Sequence, residues 1–395
     1  MDSEDATATS GGLRPQAVTL RRIAAEWSRI GIIGFGGPPA HLALFHRLCV
    51  ERNAWLAEAE FEDAIASANL LPGPASTQVA IFCGWRVGGL LGGIVGGAAF
   101  ILPGLVVILA LSVLFLAEHP PLLVVGAAAG AGAAVPAVAV HAAAQLVPSS
   151  WKRIGTGRAH KLRWAVYAVL GGASAALLGP YLVLVILACG LAEMTLRSRG
   201  RPGGTASVVV TAGARLLVGG GMAALAWTAF KVGALSYGGG FVIIPLMQAD
   251  AVSVHHWMTA GQFLSAVALG QITPGPVVQT VAVVGYAAAG LVGGVLAAVV
   301  AFAPSFVFVL GGARHFDRLR RNERARSFLT GAGPAAIGAI AGSAIPLGLS
   351  LSHVWQVVLL VLAAGWLVGA RRGVVSTLLL ALLAGAGLAA LGLPT

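Results

Sequence analysis

The sequence predicts an all-α integral membrane protein built from two homologous repeats in inverted orientation. Three observations carry that expectation. Hydrophobic residues make up 57% of the 395-residue chain and charged ones 10%, and the mean hydropathy is +0.88. A proline-glycine-proline string occurs twice, as Leu71-Pro72-Gly73-Pro74 and, 202 positions later, as Thr273-Pro274-Gly275-Pro276. Basic residues gather in connections that alternate between the two halves, and such connections set the orientation of inserted helices.

Composition narrows the class first. A soluble chain of this length would need far more polar surface. The stretches Val87–Leu116, Leu122–Val147 and Val374–Leu393 supply the roughly 20 apolar residues that hydrocarbon requires. The 55 glycines suit closely packed or broken helices. Residues Met1–Gly12 are polar and acidic, unlike a cleavable signal peptide, and are expected as a disordered tail. The net charge of +11 does not point to nucleic acid, because most basic residues lie between apolar spans. Cys49, Cys83 and Cys189 lack paired spacing and read as small packing residues, not as a metal site or disulfide framework. No cofactor is expected.

The first repeat, residues 13–197, opens with the amphipathic stretch Gln16–Gly34, where Arg22 and Glu26 are spaced for an intrahelical pair. Gly34-Phe35-Gly36-Gly37-Pro38-Pro39 interrupts the helix, and Ala40–Val50 resumes it ahead of the interfacial Trp55. Glu60–Leu71 and Pro74–Val87 each reach only about 20 Å at 1.5 Å per residue, too short to cross. Proline lacks an amide hydrogen yet fits the first helical position, so the string between them ends one helix and starts another. Acids Glu58, Glu60, Glu62 and Asp63 at one outer end and Arg86 at the other favour a re-entrant hairpin with a buried tip. Arg86 is expected to anchor or to pair with one of those acids. Gly88, Gly92 and Gly96, four apart, read as a smooth packing face. Leu122–Val147, Leu162–Leu178 and Tyr181–Leu196 complete the repeat, and a basic linker, 198–213, leads to the second repeat, 214–395.

An offset of 202 maps Gly31 on Gly233, Phe35-Gly36-Gly37 on Tyr237-Gly238-Gly239, Trp55 on Trp257 and Asn69 on Gln271. The same register is expected to run to Gly92, which it sets against Gly294, and it signals duplication. In the first half Ala117–Pro121 has no Lys or Arg, whereas Trp151–Arg163 carries five. In the second half the earlier connection carries Arg314, Arg318, Arg320, Arg321, Arg324 and Arg326, whereas Ser350–Trp355 carries none. If basic loops stay cytoplasmic, equivalent loops lie on opposite sides. Inversion then requires an odd number of crossings before the second repeat.

Interrupted helices in a membrane are tolerated only where protein buries them or they line a watery cavity. Helices starting at Pro74 and Pro276 aim free amides and a positive dipole end at that cavity, and Gly73 and Gly275 let a ligand approach the backbone. Polar side chains beside them are Asn69, Ser76, Thr77 and Gln78 at the first tip and Gln271, Thr273, Gln279 and Thr280 at the second. Gly36-Gly37 and Gly238-Gly239 add further amides. Carbonyl-rich helix ends would suit a cation; proline-first starts and amide donors favour an anion. Arg29 and Lys231 match at the 202 offset, and two readings stand for them: fixed charge for the anion, or snorkelling to an interface. Glu60 and Asp63 are coupling candidates or interfacial carboxylates, with His41 and Asp250 as weaker coupling candidates. The sequence contains no HExxH, no GxSxG-type motif and no paired intramembrane Asp, so no catalytic role is expected.

Taken together, Gly34-Phe35-Gly36-Gly37-Pro38 with Leu71-Pro72-Gly73-Pro74, and Tyr237-Gly238-Gly239-Gly240 with Thr273-Pro274-Gly275-Pro276, resemble the chromate ion transporter family in its long, two-domain form. The likeness runs from about Trp27 to the carboxyl end. It implies a multi-pass protein of the bacterial inner membrane that exports chromate and gives chromate resistance, with sulfate as the look-alike dianion. From the tip chemistry, Pro72, Gly73, Pro74, Pro274, Gly275 and Pro276 are expected binding residues; lipid is the expected surrounding, no nucleic-acid partner is expected, and homo-oligomerisation stays open. A passive anion channel is the alternative. Gly240-Phe241 stands where the first copy has Pro38-Pro39, so the two breaks need not do the same job.

Overall fold

The computed structural model describes residues 18–68, 71, 73–154, 157–178, 181–198, 221–236, 243–312 and 322–394. The tail 1–12, the basic linker beyond Ser198, Asn69, Pro72, Gly238, Gly239 and the arginine-rich 313–321 connection fall outside them. All regular elements among the described residues are helical. In the first half they are α1 (Leu20–Ile33), α2 (Pro38–His46) running into a π-turn (Arg47–Arg52), α3 (Glu58–Ala68), α4 (Ala75–Phe115), α5 (Leu122–Lys152), α6 (Arg158–Leu177) and α7 (Leu182–Ser198). In the second half come α8 (Met222–Leu235), α9 (Ile243–Gln248) with a π-turn (Ala249–Val254), α10 (Ala260–Ile272), a 3₁₀ turn (Val277–Gln279), α11 (Thr280–Gly312), α12 (Glu323–Leu349), α13 (Val354–Val368) and α14 (Val374–Ala390). Four helical stretches, α4, α5, α12 and Val277–Gly312, are long and apolar enough to cross a membrane.

A straight α4 of 41 residues would be about 60 Å long, twice the hydrocarbon thickness. It does not run straight. Gly88 and Gly89 leave helical geometry, Gly89 with φ +64°, and the chain doubles back there. Gly84 and Gly92 would be about 12 Å apart on a straight helix, yet a Cβ on either would strike the other's carbonyl oxygen. The segment is therefore a helical hairpin with a short limb, 75–87, and a long one, 90–115. The half-length limb read from the sequence is present, and an Arg86–Glu60 ion pair ties its base to α3. The glycine face needs correction: Gly88-Gly89 makes the reversal, while Gly92 and Gly96 pack against Gly84 and Trp27. α11 repeats the device at Ala289 and Gly290, with Gly285 against Gly293.

These pairs also correct the register. Gly31 faces the Phe100 carbonyl and Gly233 the Ala301 carbonyl, so the offset is 202 before the tips (31 to 233) and 201 after them (100 to 301). Gly84/Gly285, Gly92/Gly293 and the mid-helix Pro103/Pro304 all keep 201. The missing residue lies just after Pro276, where the second repeat has a 3₁₀ turn and the first is already α-helical. A 3₁₀ turn rises about 2.0 Å per residue against 1.5 Å, which helps three residues reach where four do in the first copy.

Around this centre the remaining helices cross between the halves. α5 packs on α13 and α14, and α12 on α6 and α7. Small residues permit it: Gly126 and Gly130 meet Gly385, and Gly171 meets Ala335. The three cysteines are free and buried, as their packing reading implied. Arg22 is not paired with Glu26: it reaches Asn53 at 2.8 Å and lies over the Trp55 ring, while Glu26 faces Arg52 at 3.7 Å.

Candidate functional site

Gly73-Pro74 at the first tip and Pro274-Gly275-Pro276 at the second are buried, and each tip ends against the broken helix of the other half. The Gly73 amide donates to the Ser236 carbonyl at 2.9 Å, and the Gly275 amide donates to the Gly34 carbonyl at 3.0 Å. Gly34 and Ser236 are the C-caps of α1 and α8. Both the donors and the acceptors are 202 positions apart, so one bond is made twice, once in each direction. Four interrupted helices thus meet in one buried centre.

Local chemistry explains the shape. Gly73 and Gly275 have φ of +125° and +94°, a region that costs any other residue strain, and each is followed by a proline that caps the next helix. In the first copy Gln78 makes the first amide bond, to the Pro74 carbonyl, so the amides of Ala75, Ser76 and Thr77 begin the helix without an intrahelical acceptor. The long limbs pass close by. Gly104 leaves no room for a side chain beside the Pro274 carbonyl, and the equivalent Ser305 puts its hydroxyl 2.7 Å from where a Cβ on Gly73 would sit.

The side chains here hold unused hydrogen-bonding capacity. Thr77 Oγ1, Ser236 Oγ, Ser305 Oγ and Gln271 Nε2 are buried and have no hydrogen-bond partner among the described residues. Buried polar groups are ordinarily paired, so four such donors around two helix ends form a set suited to an oxyanion.

Of the residues read from the sequence, Gly73, Pro74, Thr77, Gln78, Gln271, Pro274, Gly275 and Pro276 are buried at or beside the two tips. Two others are engaged elsewhere. The Thr273 hydroxyl donates to the Leu269 carbonyl at 2.8 Å, which uses its one proton. Gln279 Nε2 donates to the Ile101 carbonyl at 2.8 Å, so Gln279 clamps the second tip to the long limb of α4, while its Oε1 is buried without a hydrogen-bond partner among the described residues. Lys231 is not a free charge either, because Asp250 lies 2.5 Å from its Nζ and also accepts from Thr228. Gly36 and Gly37 have φ of +96° and +76° and lead into α2, but Gly36 is exposed. Arg29 lines a separate cavity with Arg47 and Arg52. Glu60 pairs with Arg86 in a half-exposed position, and Asp63 is exposed, both away from the buried tips.

Sequence reasoning missed Gly34, Ser236, Gly104 and Ser305. The last two directly follow Pro103 and Pro304, and that repeated mid-helix proline was the available signal. His41, read from the sequence as a weaker coupling candidate, is fully buried; its Nε2 lies 2.9 Å from the same Gly34 carbonyl and its ring meets Phe100 edge-on.

Broken helices meeting inside a shell of apolar ones, with unpaired polar groups at the meeting point, define a multi-pass membrane transport protein. A family model described as "Chromate transporter" matches two stretches of the chain, residues 21–194 and 223–391. The chain belongs to that family. It is 31% identical over 357 residues to a chromate transport protein of Cupriavidus metallidurans, covering 87% of this chain and 86% of the relative. A probable chromate transport protein of Synechococcus elongatus is 30% identical over 373 residues, 90% of this chain and 92% of the relative. A chromate transport protein of Pseudomonas aeruginosa is 29% identical over 401 residues, 91% and 95% of the two chains. No solved structure matches the chain.

Proposed function

We propose that the protein is a secondary transporter that exports chromate across the bacterial inner membrane and thereby confers resistance, its two repeats inserted upside-down to one another around one shared site. The observation that carries this reading is the reciprocal pair of bonds, Gly73 to Ser236 and Gly275 to Gly34, with four buried donors on the same segments that lack a partner among the described residues. A twofold exchange of this kind puts two helix starts against one space, and their dipoles favour negative charge there. A tetrahedral dianion loses several kcal/mol of hydration on entering a membrane interior. Thr77, Ser236, Ser305 and Gln271 return hydrogen bonds from several directions, and the amides of Ala75, Ser76 and Thr77 add to them. Sulfate has the same shape and charge and is the natural competitor.

Because each tip is bonded to the opposite repeat, movement of one half pulls the other's tip and exposes the site to alternate faces. The test is radiolabelled chromate uptake into inverted vesicles, with pH and potential gradients imposed separately. Saturable, gradient-driven uptake inhibited by sulfate is expected. A linear, uncoupled anion current would instead identify a channel. Accessibility labelling of single cysteines at Ala117–Pro121 and Ser350–Trp355 tests inversion, which requires these two uncharged connections to share one face.

A further inference from the structure

The two repeats differ most in charge beside the first helix of each. In the first, an open cavity of about 360 Å³ lies between α1 and the π-turn after α2, with Arg29, Arg47 and Arg52 on its walls and Glu26 as its one acid. Glu26 faces Arg52 at 3.7 Å; among the described residues Arg29 and Arg47 have no ion-pair partner. Two guanidiniums therefore stand unmatched over an otherwise apolar wall that includes Ile33 and Leu48. In the second repeat, the positions of Arg47, Leu48 and Arg52 are Ala249, Asp250 and Val254. There the only cation, Lys231, is held 2.5 Å from the buried Asp250. Duplicated sequence has thus given one electropositive cavity and one counterpart in which the lysine is neutralised by an aspartate.

The cavity lies along the helix whose end receives the second tip. Arg29 lies five residues before Gly34, about 7.5 Å along the helix, and the Gly34 carbonyl accepts the amide of the second tip's Gly275. Toward the surface, the Arg22–Asn53 bond closes the same helix pair. We infer that this cavity is a second anion site, an antechamber on one membrane face in which Arg29 and Arg47 take up a tetrahedral oxyanion. Planar guanidiniums match such oxygens with paired donors, and an unbalanced positive cleft raises local anion concentration and capture rate by tenfold or more. The oxyanion is either the free transported species or the phosphate of an anionic lipid whose chains cover Ile33. As a stage in transport, the inference rests on the function proposed above.

The full chain is reconstituted in phosphatidylcholine vesicles, with and without phosphatidylglycerol, as wild type and as R29Q/R47Q. A free-anion site predicts that the variant needs about tenfold more chromate for half-maximal uptake, with its maximal rate within twofold and a flatter ionic-strength dependence. A lipid site predicts an unchanged half-saturation in phosphatidylcholine but loss of the response to phosphatidylglycerol. Equality of variant and wild type in both measurements overturns the inference. Sulfate protection against thermal unfolding, expected to weaken in R29Q/R47Q, reads the site without transport. Wild type that takes up no chromate refutes the transport reading alone; sulfate protection equal in both proteins would then refute the antechamber.

Discussion

Replacing the two tip glycines by alanine should not be equivalent, although the tips are copies. Gly73 has φ +125°, and a Cβ there would lie 2.5 Å from Gln78 Nε2 and 2.7 Å from Ser305 Oγ. Gly275 has φ +94°, and its Cβ would find Gln279 Nε2 at 3.1 Å and Oε1 at 3.3 Å. Positive φ costs an L-residue about 1–3 kcal/mol in either place. Overpacking a filled site adds roughly 1–3 kcal/mol, and only Gly73 incurs it in full, because Gln78 and Ser305 are buried with little space to retreat. Gly73→Ala is expected to be about 4 kcal/mol less stable than wild type and Gly275→Ala about 2 kcal/mol. Thermal unfolding of the purified proteins, followed by tryptophan fluorescence, gives the order. Adding Ser305→Ala to Gly73→Ala removes one of the two clashing atoms and should restore part of the loss. Equal destabilisation by the two alanines, or no rescue by Ser305→Ala, would refute the tip geometry.

Ser305→Ala alone deletes a buried hydroxyl without a protein partner, so stability should change by less than about 1 kcal/mol. If that hydroxyl donates to the dianion, a loss of about 1.5 kcal/mol or more raises the half-saturating chromate concentration roughly tenfold in vesicle uptake. Glu193, on α7, is buried between Arg163 at 3.3 Å and Arg197 at 2.7 Å. Glu193→Gln should cost about 3 kcal/mol, the low end for breaking a buried pair, because those arginines stay 29% and 33% exposed. Its thermal midpoint falls while its half-saturation for chromate stays at the wild-type value. His46, at the interfacial end of α2, hydrogen-bonds Glu58 and lies 3.2 Å from Glu51, which together raise its pKa above the usual 6.5. A raised folded-state value gives stability that is fully present below pH 6.5 and fades as pH rises through the folded value. Denaturation followed from pH 6 to 8 should therefore show a declining trend that His46→Gln flattens.

The helices, their apolar faces, the duplication and the two tips were legible in the chain because each depends on local rules. Run length against membrane thickness, proline's missing amide and the positive φ of glycine all act within a few residues. Even the half-length limb before Arg86 follows from counting. What folding decided is which groups these elements bring together. No local rule pairs Gly73 with Ser236 or Gly275 with Gly34, since those bonds join opposite repeats and exist only when both halves are docked. The same holds for the engagement of Thr273 and Gln279, whose hydroxyl and amide looked available until their carbonyl partners were in place, and for the pairing of Lys231 with Asp250. The one-residue change of register after Pro276 is masked in the sequence, where Val79-Ala80 also matches Val281-Ala282 at the 202 offset, and emerges only from backbone contacts. Sequence by itself therefore determined that two broken-helix units would be built; tertiary packing determined that each would be completed by the other, because buried amides must find acceptors and the nearest ones lie across the interface.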